Sequence, residues 1–422
     1  MTRNEASGEE SRLGNGGAVM INNAATLAVV CCSFYGNKAR GEGGACWVSR
    51  SGLAVASSSF SNNSAGASGG AVLIEDSPSN VSAVLAALSG NRARNGGALF
   101  LRNCSGAGLV FSGVDFERNA AMVGSGGAVS ALYVSGELQF LDCSFVSNTA
   151  YVNGGAVYIS TVLESAQDPK YKPSWVQLDY VQRDIAGGNA RPYVIRNCAV
   201  RSNTAVTGHG SIALSGLARM VMEDVAFEGN RAQSGGALWC SQDTAANVST
   251  GSFQGNAARF GGAIHTQDNC MLSLASTTMT ANSASECGGA LSLNSTQPLF
   301  ASGLIRAVSN TADRSGGAGC ILLKHNNSSL KCHTLLWDYP LAIRLGQNSR
   351  LEFELNSARG QGGAFFLSCV KPGNATQMAW SAQYLNNSMF STSRRLLQVR
   401  SKGNFFICVL IRDFYILTYL CR

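Results

Sequence analysis

His209 lies between two glycines as Gly208-His209-Gly210, and a histidine set in a small-residue loop is a natural first candidate for acid–base chemistry. Cleaving an acidic polysaccharide would need more: carboxylates clustered on one face to hold calcium or activate water, with such a base beside them. The chain has 25 Asp and Glu in 422 residues. Asp115, Asp142, Asp224, Asp268 and Asp313 share no register that would align three of them. His265, His325 and His333 have no evident sequence partner, and none of the 14 cysteines forms a CxxC zinc pattern. These residues point to a non-catalytic chain with no cofactor and no metal.

Binding chemistry is better represented. Trp47, Phe100, Tyr158, Trp239, His265 and Phe366 each stand two residues after a Gly-Gly-Ala, a place shared by Met20, Leu73, Ser130, Ser292 and Cys320. If that position points away from a core, its rings form an exposed row able to stack on sugars or dock a surface protein. A second set, Lys38, Arg40, Arg92, Arg94, Arg231, Arg259, Arg314 and Arg359, falls in the few residues after a recurring Asn. With a net charge of +7, that row could attract anionic glycans or lipid headgroups, and a solvated turn is its plain alternative. No nucleic-acid module is present. Cys143 and Cys198 each lie five residues before that Asn, so they could stack, and whether they bridge depends on the compartment.

These positions are defined by a repeat. Asn37, Asn63, Asn91, Asn119, Asn148, Asn230, Asn256, Asn282, Asn310 and Asn356 each begin Asn-x-Ala followed shortly by Gly-Gly-Ala, and Asn203 begins a copy that decays to Gly208-His209-Gly210-Ser211. An apolar residue, most often Phe, precedes each Asn by three, as Phe34, Phe60, Phe116, Phe145, Phe227, Phe253 and Phe353 show. A period of about 26–28 residues marks a stacked array whose units bury their apolar sides only against their neighbours. After the glycines the apolar residues alternate with period two, as in Val72 and Ile74 or Leu99 and Leu101, which predicts short strands. Strand, turn, strand, turn over each period predicts an all-β parallel β-helix of about 11–12 coils. In it Asn would occupy a left-handed turn and ladder from coil to coil, Phe would fill the lumen, and Gly-Gly would supply positive φ or close backbone approach.

Phe227-Glu228-Gly229-Asn230 with Gly235-Gly236-Ala237-Leu238, and Phe253-Gln254-Gly255-Asn256 with Gly261-Gly262-Ala263-Ile264, closely resemble the repeat of the polymorphic outer membrane proteins of chlamydiae. That repeat is defined by Gly-Gly-Ala-(Ile/Leu/Val) and Phe-x-x-Asn. The resemblance covers most of the chain and implies a right-handed, pectin-lyase-like β-helix and a surface-exposed, adhesin-like passenger at the cell surface, outer membrane or outside the cell. The family's C-terminal outer-membrane barrel has no counterpart in this tail, so its autotransport is not carried over. Similar repeats occur in large open reading frames of algae and other protists. Gly208-His209-Gly210 is similar to a polygalacturonase tripeptide, but that family's paired aspartates and Arg-x-Lys element are absent.

The array is expected to span residues 13–370, after a stub at 1–12, with excursions at 161–188 and 324–346 and a non-repeat tail at 371–422. It starts almost at the first residue, without an apolar leader segment, which reads as a fragment or truncated gene model. Residues 405–420 are apolar but broken by Arg412 and Asp413, short of the roughly 20 residues a membrane helix needs. A docked strand or a non-native tail is the expected reading, and a membrane-tethered receptor fragment is the alternative. Nine Asn-x-Ser/Thr sequons, Asn80, Asn103, Asn247 and Asn374 among them, permit glycosylation on a secretory route.

Overall fold

The computed structural model describes residues 1–7, 14–106, 108–161, 192–295, 297–324, 343–345, 350–360, 365–370, 395–400, 406–412 and 415–421. No helix occurs among them. The chain forms two compact units, Met1–Gln233 and Ser234–Arg422. The expected excursions at 161–188 and 324–346 fall almost entirely outside the described residues.

One coil of the first unit serves for the rest. Strands Ser59–Ser61, Ser64–Ala65, Val72–Glu75 and Val81–Val84 follow one another around it. The next coil repeats them as Ala87–Ser89, Arg92–Ala93, Leu99–Arg102 and Leu109–Ser112. Each strand pairs in parallel with its counterpart: Phe60 with Leu88, Ser64 with Arg92, Val72 with Leu99, Val81 with Leu109. Four parallel sheets result, called here the phenylalanine, short, post-glycine and fourth sheets in chain order. This is the parallel β-solenoid that the period predicted.

The repeat residues make the stack. Phe34, Phe60, Phe116, Phe145 and Phe227 are all at most 3 % exposed, and neighbouring rings lie nearly parallel, with centroids 4.7 Å apart for Phe34 and Phe60 and 4.9 Å for Phe116 and Phe145. Each such ring contributes about 1.5–3 kcal/mol of burial beyond the ordering of its backbone. The Asn ladder is continuous through the unit. Each carboxamide oxygen accepts from the main-chain N–H and the Nδ2 of the Asn one coil earlier, as Asn91 Oδ1 does from Asn63 at 3.0 Å twice. Its own Nδ2 donates to a carbonyl of that earlier coil, as Asn91 does to Phe60 at 2.9 Å. A buried amide with every partner filled is stabilising; an unfilled one would be costly.

Two expectations are refined. The left-handed residue is not the Asn but its predecessor: Gly36, Asn62, Gly90, Arg118, Ser147, Ser202 and Gly229 have φ between 53° and 65°, and no repeat Asn does. The turn tightens one residue early, which aims the Asn side chain inward along the stack. The two glycines divide the work proposed for them. Gly69 takes positive φ (67°), whereas a Cβ on Gly70 would press into the carbonyl of Gly97 and within 2.6 Å of the Arg92 nitrogen on the next coil.

The second unit uses the same coil. Strands Ser252–Gln254, Ala257–Phe260, Ile264–Asp268 and Met271–Ala275 pair in parallel with the coil that follows, with a register irregularity between Ala258 and Phe260. Asn256, Asn282, Asn310 and Asn356 continue the ladder pattern here. Disulfides Cys240–Cys270 and Cys287–Cys320 join neighbouring coils. Strands Arg395–Arg400, Phe406–Arg412 and Tyr415–Cys421 form an antiparallel sheet, so the apolar tail is strand among the described residues, and no described helix is long and apolar enough to cross a membrane.

Candidate functional site

The row two residues after Gly-Gly-Ala is not at the surface. Trp47, Phe100, Tyr158, Trp239 and His265 are at most 7 % exposed, as are Leu73, Ser130 and Ser292. The sheet is buried on both sides, with all four residues of Leu99–Arg102 and of Val157–Ser160 buried. The turn before each strand lies against the base of these side chains. A Cβ on Gly69, Gly96 or Gly154 would come within 3.0, 3.1 and 2.8 Å of the Cβ of Leu73, Phe100 and Tyr158. Arg102 adds cover, its guanidinium 5.7 Å over the Phe100 ring while it pairs with Glu42 at 3.1 Å and with Glu75. Met20 is exposed, and the Phe366 side chain lies outside the described residues. An exposed aromatic row is therefore corrected to a buried one.

The basic turn row is at the surface. Lys38, Arg40, Arg92, Arg94 and Arg231 in the first unit and Arg259, Arg314 and Arg359 in the second are all exposed. The two units differ in compensation. In the second, Glu286 sits 3.6 Å from Arg259 and 2.7 Å from Arg314, and Asp313 lies 3.6 Å from Arg359. In the first, Lys38, Arg92, Arg94 and Arg231 have no ion-pair partner among the described residues. Exposed pairs are worth at most about 1 kcal/mol, so the pairing alters the outward field more than the stability.

One surface feature escaped the sequence reading. Met122, Val123, Tyr151 and Val206 are 46–58 % exposed. The N–H groups of Met122, Tyr151 and Val206 donate to the carbonyls of Ala93, Ala121 and Ala150 at 2.8–2.9 Å, so the three residues occupy one position, three after the Asn, on consecutive coils. Arg94 holds the same position one coil earlier, following Ala93 as Met122 follows Ala121. Thr204 bridges Arg231 one coil later. Reading every third residue after Asn would have found the row, but that position is not part of the conserved-looking phrase.

The remaining candidates resolve into structure. The His209 amide donates to Asn153 Oδ1 at 3.0 Å, and burial lowers the imidazole pKa below the ordinary histidine value. Gly210 keeps the positive φ of a first glycine (62°), and Ser211 follows it directly. Asp76, Asp142 and Asp243 accept from Asn103, Asn197 and Asn269 at 2.6, 2.5 and 2.8 Å on adjoining coils, and no group of three metal-ligating side chains occurs among the described residues. Cys143 and Cys198 do stack: the Cys143 N–H donates to Cys198 Sγ at 3.3 Å, and both are free thiols. The hydrogen bond between the sulfurs, then burial, hold the Cys143 thiol well above its ordinary pKa. A void in the second unit, of about 20 Å³ and bounded by Leu274, Met279, Leu291 and Leu299, is roughly the size of one water.

Comparison with known proteins bears on the repeat. Residues 57–75 and 142–160 match the Chlamydia polymorphic membrane protein (Chlamydia_PMP) repeat. Each matched segment runs from the turn before the phenylalanine strand, through the short strand, to the end of the post-glycine strand. No curated protein and no solved structure matches the chain. The chain is a parallel β-solenoid, and two of its coils carry repeats matching those of the polymorphic membrane proteins.

Proposed function

We propose that this chain is a non-catalytic surface or secreted β-solenoid, acting in adhesion or as envelope or wall structure, that binds through its exposed turn face. The observation that carries this reading is how the repeat spends its residues. The Asn, the upstream Phe and both glycines are consumed in joining coil to coil, while exposure and variation meet at the turn after the Asn. The matched repeat supports a surface location, since it is named for membrane proteins. The two disulfides fit an oxidising compartment such as a cell exterior. A glycan or a surface protein is the partner class that fits such a face.

The test is binding of the full chain to a glycan and anionic-polymer array and to cell surfaces, with product analysis for cleavage. Adhesion without products is the expected result. Cleaved saccharide would overturn the reading in favour of a carbohydrate-active enzyme.

A further inference from the structure

We infer that the turn face of the first unit is a docking surface for anionic phospholipid. The inference stands apart from the adhesion reading and does not need it. Along consecutive coils the positions one and three after the repeat Asn read Arg92 and Arg94, then Ala120 and Met122, Thr149 and Tyr151, Thr204 and Val206, and then Arg231 and Gln233. Val123 extends the middle of the series. An apolar block three coils wide, roughly 10 Å at the strand spacing, is thus bracketed on both sides by exposed cations.

Arg92, Arg94 and Arg231 have no ion-pair partner among the described residues, whereas the matching arginines of the second unit face Glu286 and Asp313. The apolar side chains are not held in a core: Met122 is 58 % exposed, Val123 50 %, Tyr151 49 % and Val206 46 %. Their main chains are fixed by coil-to-coil hydrogen bonds, so the block is presented on rigid strand ends.

An anionic lipid surface uses both halves of this arrangement. A polyanion in solution would engage the arginines and leave Met122, Val123 and Val206 in water. An apolar ligand would cover the block and gain nothing from the cations. At an anionic lipid surface the guanidinium groups meet phosphates while the apolar side chains enter the headgroup and acyl boundary, with a tyrosine where interfacial aromatics are favoured.

Co-sedimentation of the full chain with phosphatidylcholine vesicles, with and without phosphatidylglycerol, tests this. Binding to the anionic vesicles that falls with salt is expected. A variant combining Met122→Ser, Tyr151→Ser and Val206→Ser should lose at least about tenfold in partition. One combining Arg92→Gln, Arg94→Gln and Arg231→Gln should lose on the order of a hundredfold, since each basic residue near such a surface is worth about fivefold. Arg259→Gln with Arg314→Gln should bind like the parent. Tyr151→Trp should add fluorescence that brominated lipid quenches, which reports insertion independently of any loss of folding in the multiple variants. The inference is overturned by absence of binding to anionic vesicles, by no quenching at position 151, or by a loss confined to the arginine variant. That last result would assign the row to a soluble polyanion.

Discussion

Asn119→Ala is the sharpest test of what holds the coils together. In the structure Asn119 Oδ1 accepts from the Asn91 main-chain N–H and from Asn91 Nδ2, each at 3.0 Å. Its Nδ2 donates to the Leu88 carbonyl at 2.8 Å and to Asn148 Oδ1 at 3.0 Å. Alanine removes all four bonds at a residue only 1 % exposed. Asn148 Oδ1 keeps the Asn119 N–H at 3.0 Å and so stays satisfied. The Asn91 main-chain N–H and one hydrogen of Asn91 Nδ2 do not, although Asn91 Nδ2 keeps its bond to the Phe60 carbonyl at 2.9 Å. Two orphaned buried N–H groups at about 1–3 kcal/mol each dominate, giving a cost of about 2–6 kcal/mol. Asn356→Ala is the control. Asn356 accepts from Asn310 at 3.0 and 2.9 Å but is partly exposed, so water can replace it and the cost should be about 1 kcal/mol. Because a solenoid can open coil by coil, hydrogen exchange at single amides is the right assay alongside urea unfolding. The Asn91 amide should exchange at least about a hundredfold faster in Asn119→Ala. A cost under about 1 kcal/mol, or equal costs at the two positions, would refute the ladder as the source of stability.

Three further outcomes follow from the same geometry. Gly97→Ala should cost about 3 kcal/mol or more, because its Cβ would press on the Gly127 carbonyl and reach 2.5 Å from the Ala120 nitrogen, both main chain. Gly229→Ala, with φ of 63° but only a distant Ser202 hydroxyl nearby, should cost about 1–2 kcal/mol in urea melts, and reversal of that order would sink the division of labour between the glycines. Thiol labelling at about pH 8 should modify exposed Cys31 and Cys32 and spare Cys46 and Cys104, whose pKa values burial pushes up to about 12, leaving about one thiolate in ten thousand; rapid labelling of Cys104 in the folded chain would contradict its burial. Burial lowers the pKa of His209, so the unfolded chain takes up a proton near 6.5 that the folded chain refuses. Its contribution is therefore present above that pH and lost as pH falls through the folded value, and His209→Asn should flatten the acid limb of the melting temperature below pH 6.5; an unchanged limb would remove His209 from the account.

Much of the fold was legible because a solenoid turns sequence period into spatial adjacency. Residues about one period apart touch, so the recurrence of Asn, Phe and Gly-Gly already states which side chains stack. What was not legible depends on the path of the turns. The Trp47, Phe100 and Tyr158 row was read as exposed because strand alternation gives two faces; alternation does not say whether the outer one is covered, and here both are buried. The left-handed residue was misplaced by one because Asn is itself a common left-handed residue, and here the lumen claims its side chain while Asn62, Arg118 or Ser147 takes the turn. The Cys240–Cys270 and Cys287–Cys320 bridges were missed for a related reason. Their partners are 30 and 33 residues apart, longer than one repeat, and join different parts of successive coils.

The turn after the Asn is where the solenoid is free to change. At Tyr151 the backbone N–H is committed to Ala121 and the backbone is fixed by the ladder beneath it, yet the side chain is 49 % exposed. The same holds for Met122 and Val206 on the neighbouring coils. Stability is thus set by the Asn, the Phe and the glycines, and the chemistry of the turn face by residues that contribute to the fold only through their main chains. Substitutions at the turn should change surface affinity at nearly constant stability, while substitutions at the phrase should do the reverse. The decayed copy at Asn203 fits this separation: it loses one glycine of the pair but keeps Asn203 hydrogen-bonded to Asn148 and Asn230, at 3.0 and 3.1 Å, and still presents Val206 in line with Tyr151. If turn variants such as Tyr151→Ser and Val206→Ser unfolded the first unit, scaffold and recognition would be one property, and the reading of the exposed row as a binding surface would lose its basis.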